Sequence, residues 1–149
     1  MLDKIRQFFK NSKQKLGDER CLIVPKSEVN EELKSNIIEL ERLAEQWGKV
    51  LQRKYAIAFE NKGKLNLRIW VCRDIDGDEL EELSSENCLE KEYRSQILID
   101  FDDDTVEDDE YADIIQLWYY YGGGTGTIYD ITKNNLVKDI ELGLETLLN

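Results

Sequence analysis

The feature that most constrains the fold of this chain is a run of apolar residues at helical spacing within residues 27–53. A stripe of this width is typical of a helix that covers a sheet, whereas a narrower seam would favour the alternative, a coiled coil. Glu28, Glu31 and Glu32 lie in its first turns, where carboxylates complement the helix dipole. The pattern predicts one long amphipathic helix. Its stripe consists of Leu33, Ile37, Leu40, Ala44, Trp47 and Leu51, widened by Ile38, Leu43 and Val50.

After this helix the apolar residues alternate with polar ones, as they do in half-buried strands. The first two alternating segments are separated by Asn61-Lys62-Gly63-Lys64, which predicts a hairpin turn with Gly63 at positive φ. Residues 75–92 are expected to be irregular or briefly helical, and they are strongly acidic. The predicted strands are 55–59, 65–71, 93–101, 112–121 and 127–132.

A last helix is predicted over residues 136–148, with Leu136, Ile140 and Leu144 on one side and Gly143 weakening it by about 1 kcal/mol. Short connections between consecutive strands indicate an antiparallel meander, because parallel strands need long crossovers. The sequence therefore predicts an α+β fold. It has an antiparallel four- to five-stranded meander sheet packed against a long helix in the N-terminal half and a C-terminal helix. The 149 residues suit a single domain, 1–149.

Residues 1–20 begin with a second amphipathic pattern, a short helix predicted over residues 2–16 that is basic rather than acidic. A helix of this kind either docks on its own domain or lies on an anionic membrane surface, and the fading of its apolar stripe after Phe9 favours docking. Its apolar residues are Leu2, Ile5, Phe8, Phe9 and Leu16, among Lys4, Arg6, Lys10, Lys13 and Lys15.

The composition excludes several kinds of site. Histidine is absent, which removes the commonest general base and most zinc sites. Cys21, Cys72 and Cys88 are an odd number without close pairing, so reduced thiols in a cytoplasm are expected. We also find no run of about 18 apolar residues and no secretory signal pattern. The sequence thus predicts a cytoplasmic protein with no transmembrane segment, no catalytic residues, no metal and no cofactor.

Two segments superficially resemble ligand loops. The glycines between Gly122 and Gly126 lack the third glycine of a dinucleotide loop and the lysine of a Walker loop, so they predict a hairpin turn. The acidic stretches 74–82 and 100–111 miss the glycine and glutamate positions of a calcium-binding EF-hand loop. Neither segment therefore predicts a phosphate or cation site.

The strongest functional signal is the placement of charge. The chain has a net charge of −12, and residues 74–113 hold 18 acids against two bases. Such a block repels nucleic acid and attracts cationic partners, although a charge run also serves solubility alone. We expect the second face of the sheet to carry aromatic residues, which are either core under the N-terminal helix or a contact surface flanked by the acids. Aromatic anchors inside a charged rim are the composition of protein–protein hot spots. The predicted partner-binding residues are Asp100, Asp102, Asp103, Asp104, Glu107, Asp108, Asp109, Glu110, Trp70, Trp118 and Tyr120.

In size, acidity, lack of catalytic groups and lack of an export signal, the chain resembles bacterial toxin-immunity proteins as a class. No motif belongs to a particular immunity family, so the resemblance assigns no residues. It implies a small acidic cytoplasmic protein that neutralises a basic partner, such as a nuclease-type toxin. A secretion-type chaperone that binds an effector segment is the first alternative, and a carboxylate-dependent enzyme is the second. The sequence leaves open whether the protein is a monomer or a homodimer.

Overall fold

The structure is a computed structural model, and it describes residues 19–103 and 111–149. The predicted helix over residues 2–16 lies outside the described residues. Two helices and six strands follow one another along the described chain. They are β1 (Cys21–Val24), α1 (Glu31–Asn61), β2 (Leu65–Ile75), β3 (Asp78–Glu79), β4 (Tyr93–Asp102), β5 (Asp113–Gly122), β6 (Thr125–Tyr129) and α2 (Leu136–Leu148).

The strands form one antiparallel sheet in the order β1-β6-β5-β4-β2-β3. The predicted α+β class, the antiparallel sheet and the two helices are confirmed, but the sheet has six strands rather than four to five. The two strands missing from the prediction are β1, which pairs with β6, and the two-residue β3, which pairs with the end of β2. Both are too short to produce a recognisable alternation.

Helix α1 continues through the segment predicted as the first strand. Residues 55–59 fit either structure, because Tyr55, Ile57 and Phe59 alternate while Leu51, Tyr55 and Phe59 are spaced by four. In the helix Phe59 is fully buried and Ile57 is 71% exposed, so the two residues do not share a face as strand neighbours of that spacing would. The prediction of a strand at 55–59 is therefore wrong, and burial of Phe59 explains the difference.

The residues predicted as a hairpin turn end this helix instead. The N–H of Lys64 donates to the carbonyl of Phe59 at 3.0 Å, and the N–H of Gly63 donates to the carbonyl of Glu60 at 3.0 Å. Gly63 has φ +78°, the left-handed conformation that this Schellman arrangement requires. At the other end, the Asn30 side chain accepts from the N–H of Leu33 at 3.0 Å and caps the first turn.

Both helices pack on one face of the sheet, which we call the inner face; the opposite one is the outer face. Strand β4 alternates between them as predicted, with Tyr93, Ser95, Ile97, Ile99 and Phe101 on the inner face. The core forms two adjoining clusters under α1 and α2. The larger includes Leu40, Leu51, Phe59, Ile97, Ile99, Ile115, Leu117, Ile140 and Leu144, and the smaller Val24, Leu33, Ile37, Cys88, Tyr93 and Trp118.

A β-bulge at Leu117 reverses which residues of strand β5 point to the inner face and which to the outer face. Ser95 pairs with Trp118 while its neighbour Gln96 pairs with Gln116, so Leu117 is an extra residue in the ladder. Leu117 and Trp118 consequently both reach the core, and the ring of Tyr120 stacks on that of Trp118 at 6.0 Å. The expectation that Trp118 and Tyr120 lie on the second face with Gln116 is therefore wrong. The bulge shifts them by one residue onto the inner face.

The glycine-rich segment is a turn, as predicted. Strand β5 ends at Gly122 and β6 begins at Thr125, so the two strands are joined by Gly123 and Gly124. Gly122, Gly123 and Gly124 have φ values of +91°, +68° and +88°, which residues with a side chain rarely adopt.

Candidate functional site

Two of the described acids of the predicted site lie beside one arginine. Asp100 and Asp102 share Arg68, whose Nη2 lies 3.2 Å from an oxygen of each carboxylate. Asn66 also donates to Asp102 at 2.8 Å. The hydrogen bonds from Asn66 and Arg68 lower the pKa of the Asp102 carboxyl. The acids at 104 and 107–110 lie outside the described residues. The partner-binding role of Asp100, Asp102 and Asp103 stays a prediction.

The aromatic residues of the predicted site are separated by the sheet. Trp118 is fully buried under α1, and its indole Nε1 donates to the carbonyl of Cys88 at 2.7 Å, so it offers no surface to a partner. Tyr120 is half-buried beside it. Trp70 lies on the outer face, where its ring meets that of Tyr111 edge-on at 5.7 Å. Of the three, Trp70 is placed beside Arg68 and the Asp100–Asp102 pair.

The densest group of exposed carboxylates is the connection from β2 to β4, residues 76–92, which we call the acidic rim. It contains eight acids and one base, Lys91. Glu86 is paired with Lys34 at 3.1 Å and Glu79 accepts from the hydroxyl of Tyr111 at 3.2 Å. The other exposed rim acids have no ion-pair partner in the part of the chain that the structure describes. They are Asp76, Asp78, Glu81, Glu82 and Glu90.

The acidic rim is attached to the core by a buried carboxylate that the sequence analysis missed, Glu41 of α1. Its side chain is fully buried and accepts from Ser85 of the rim at 2.6 Å, from the Tyr93 hydroxyl at 2.7 Å, and from Arg73 Nε at 2.9 Å. Arg73 also bonds Glu45 at 2.8 Å, so its guanidinium has two carboxylate partners. A detectable signal exists in the sequence, because Glu41 falls within the apolar stripe of α1.

Several local bonds hold the rim in one shape. Ser84 and Asn87 form a capping box around a short 3-10 turn, and Cys88 accepts from Trp118. Glu92 has φ +67°, and its N–H donates to Tyr120 at 2.8 Å while its carbonyl accepts from Asp76 at 3.3 Å. The rim therefore presents its carboxylates from a fixed backbone.

A cleft of about 280 Å³ opens where the rim meets the outer face. Inside it Arg94 donates from Nε and Nη2 to Asp74 Oδ2, at 3.1 and 3.0 Å, and Asp74 is only 4% exposed. With three carboxylates and one guanidinium, the cleft has a formal charge of −2, which suits cations better than anions. Its lining residues are Asp74, Asp76, Gly77, Glu92, Arg94 and Tyr119.

The thiols nearest to the site are buried. Burial raises the pKa of Cys72 to about 12 and that of Cys88 to about 12, so both are protonated at neutral pH. Within residues 19–103 and 111–149, no group of three or more acidic or cysteine side chains is arranged to hold a metal ion. The helices in those ranges are also not long and apolar enough to cross a membrane.

No protein-family model, no curated protein and no solved structure matches this chain.

Proposed function

We propose that this protein binds a basic protein through its acidic rim and so neutralises it, as a cytoplasmic inhibitor of a nuclease-type bacterial toxin would. The observation that carries the proposal is the rim itself, with eight acids against one base on a backbone fixed to the core. A rigid group of like charges attracts a basic surface from a distance and speeds the encounter.

The cleft supports the same class of partner. Its formal charge of −2 continues the negative potential of the rim onto the outer face, and the half-buried ring of Tyr119 borders it. Aromatic surface next to carboxylates favours lysine and arginine side chains over phosphates. Direct binding of nucleic acid is disfavoured, because its phosphates would meet this potential.

The experiment compares two variants of equal charge. One replaces rim acids, Asp78→Asn, Glu81→Gln and Glu82→Gln. The control replaces exposed acids of the helices, Glu39→Gln, Glu60→Gln and Glu145→Gln. The partner tested is a basic protein encoded next to the gene for this chain, and association rates are measured at 50 and 300 mM salt. We expect the rim variant to associate about tenfold more slowly at low salt and the control to change by less than about twofold.

Two results contradict the proposal. If affinity does not depend on salt, the electrostatic account fails. If rim and control variants slow association equally, only the net charge matters and the rim is not the binding surface.

A secretion-type chaperone is the second candidate, and one surface feature favours it. A partly apolar groove of about 260 Å³ runs between α1 and the start of α2, lined by Leu43, Trp47, Ile131 and Val137 among others. Such a groove would hold an extended effector segment. This function predicts a homodimer, so a dimeric mass in light scattering together with binding of an extended peptide would favour it over inhibition.

A carboxylate-dependent enzyme is the third candidate, favoured by the buried Asp74 in the cleft. Asp74 is already engaged by both Nε and Nη2 of Arg94, which suits a structural role better. An activity that disappears in Asp74→Asn, in a protein that remains folded, would favour catalysis.

A further inference from the structure

The glycine turn between β5 and β6 lies between two lysines that come from distant parts of the chain. A Cβ atom on Gly122 would be 2.8 Å from Cγ of Lys91, and one on Gly124 would be 2.6 Å from Cγ of Lys26. These distances leave no room for a side chain on either glycine, so both lysine stems lie directly over the turn. The sequence after the turn has no lysine before Lys133, and the fold brings in these two instead.

The pairing of the strands explains how the lysines reach the turn. Val24 is paired with Gly126, so Lys26, two residues further on, lies opposite Gly124. On the other side Lys91 precedes β4, which is paired with β5. The two contacted glycines are separated by one residue, so their Cα atoms are at most about 7 Å apart. Both lysines therefore converge on one short turn.

Four hydrogen-bond donors at this turn have no acceptor among the described residues. Gly123 and Gly124 lie between the strands, and their N–H groups donate no backbone hydrogen bond there. Lys26 and Lys91 are exposed, and neither has an ion pair within residues 19–103 and 111–149. A Cβ atom on Gly123 would have nothing within 4 Å, so the turn is open to a ligand.

Lys91 is unpaired although acids flank it in the sequence. It is the single base of the acidic rim and stands between Glu90 and Glu92. Glu90 accepts from Asn87, and Glu92 lines the cleft on the outer face. The lysine stem is held over Gly122. An ammonium group kept away from the neighbouring carboxylates is available to an anion from outside the molecule.

We propose that Gly122–Gly124, Lys26 and Lys91 form an oxyanion site that receives a carboxylate of the partner protein. Two ammonium groups and two backbone N–H groups supply donors for both oxygens of a carboxylate, and successive N–H groups of a turn are a known form of anion site. The net charge of −12 opposes a phosphate dianion more strongly than a carboxylate, which carries one charge. The site gives an acidic surface one point of opposite charge.

This point of opposite charge would determine which basic proteins bind. The occupant rests on the proposed function, whereas the site rests on the turn and its two lysines. A partner that fits places its bases on the acidic rim and one acid on the turn, which fixes its orientation. A protein that is basic over the whole contact would meet two ammonium groups here and bind more weakly.

The first test measures the kinetics of the partner complex. Lys26→Met with Lys91→Met, the turn variant, is compared with Lys49→Met with Lys62→Met, which removes two exposed lysines of the α1 region. Methionine keeps an unbranched stem over the glycines, and both variants lose two positive charges. With the basic protein encoded next to the gene for this chain, we expect the turn variant to dissociate at least about tenfold faster and the control to change by less than about twofold.

The second test uses the free full-length chain, so it needs no partner. The protein is labelled with ¹⁵N and titrated with sodium acetate, and separately with sodium chloride at equal ionic strength. We expect acetate to shift the amide resonances of Gly123 and Gly124 saturably. The shifts should be lost in the turn variant and retained in the Lys49 and Lys62 control.

The outcomes separate this inference from the proposed function. If the rim variant Asp78→Asn, Glu81→Gln, Glu82→Gln slows association while the turn variant dissociates like the parent, only the oxyanion site is wrong. If neither variant alters binding, the proposed function is wrong, and the acetate titration alone decides whether the turn binds an oxyanion. Equal shifts with acetate and chloride would show an adventitious ion only, and they would overturn the site, as would the absence of any shift.

Discussion

Glu41 shows how a single side chain can connect a surface to a core. A carboxylate is costly to bury, and here it is stabilised by the hydroxyls of Ser85 and Tyr93 and by the guanidinium of Arg73. Removal of one partner from such a group leaves the others buried without their hydrogen bonds, which makes the cluster sensitive to substitution.

We predict that Glu41→Leu lowers the free energy of unfolding by about 3–5 kcal/mol, because Arg73 loses its buried partner. Tyr93→Phe should cost about 1–2 kcal/mol, since only one hydroxyl is lost. Urea denaturation at pH 7 measures both. Glu39→Gln, in an exposed pair with Arg42, serves as the control and should change stability by less than about 0.5 kcal/mol. Equal effects at Glu41 and Glu39 would show that the buried cluster is not stabilising.

Asp113 should make the stability of the fold depend on pH with the opposite sign to that of most acids. Burial raises the pKa of its carboxyl above 3.8, partly offset by the N–H of Ile114 and by Arg20. The folded state therefore binds this proton more tightly than the unfolded state, and its stabilising effect is lost as pH rises through the folded pKa. We expect Asp113→Asn to be more stable than the parent at pH 7, with the difference vanishing below about pH 3.8.

Urea denaturation between pH 3 and pH 7 checks this expectation. The control is Asp102→Asn, because the pKa of Asp102 is lowered by Asn66 and Arg68, so its contribution is present above its unfolded pKa and lost as pH falls. A parent protein whose advantage over Asp113→Asn grows with pH would contradict the burial effect.

At the level of elements, the sequence pattern of α1 predicts that the helix exists but not where it ends. Its apolar stripe predicts the helix, but residues 55–59 satisfy two periods at once, and only the packing of Phe59 against the sheet decides between them. The bulge at Leu117 has no local signal, because it arises from the pairing of β5 with β4. For this reason the alternation of Trp118 and Tyr120 predicts the wrong face.

The candidate site was predictable in its chemistry and less so in its location. Acidity in residues 74–113 is a property of the sequence alone. The sequence does not show which of these acids are exposed. In the structure Asp74 is buried against Arg94, while Asp78 is free of ion pairs among the described residues. Glu41 contributes to the site from a distance of 44 residues along the chain, through Ser85.

Strand β2 has a long edge, which we predict is protected by Gln52. Within the described pairing, β3 covers only Asp74 and Ile75, while the N–H of Ile69 donates to Oε1 of Gln52 on α1 at 2.8 Å. Gln52→Ala should cost about 1–3 kcal/mol, because that N–H loses its acceptor, and it should promote association through the freed edge.

Urea denaturation and light scattering measure these two effects. The matched control is Gln46→Ala on the exposed side of the same helix, which should be close to neutral. If Gln52→Ala behaves like this control, the edge is protected by the body of α1 rather than by the amide.

At the level of the whole molecule, a net charge of −12 opposes the compact state. We predict that raising NaCl from 20 to 300 mM stabilises the free protein by about 1 kcal/mol, or about 2–4 °C in Tm for a domain of this size. Calorimetry checks it, and the rim variant Asp78→Asn, Glu81→Gln, Glu82→Gln should show a smaller rise. A Tm that falls with salt would mean that ion pairs such as Asp100 with Arg68 outweigh repulsion.

The attachment of the acidic rim has a mechanical consequence. Ser85 is bonded to Glu41 in the middle of α1, and Cys88 is bonded to Trp118 in the middle of the sheet, so two points of the rim are tied to different layers. A displacement of the whole rim therefore has to break hydrogen bonds to both the helix and the sheet.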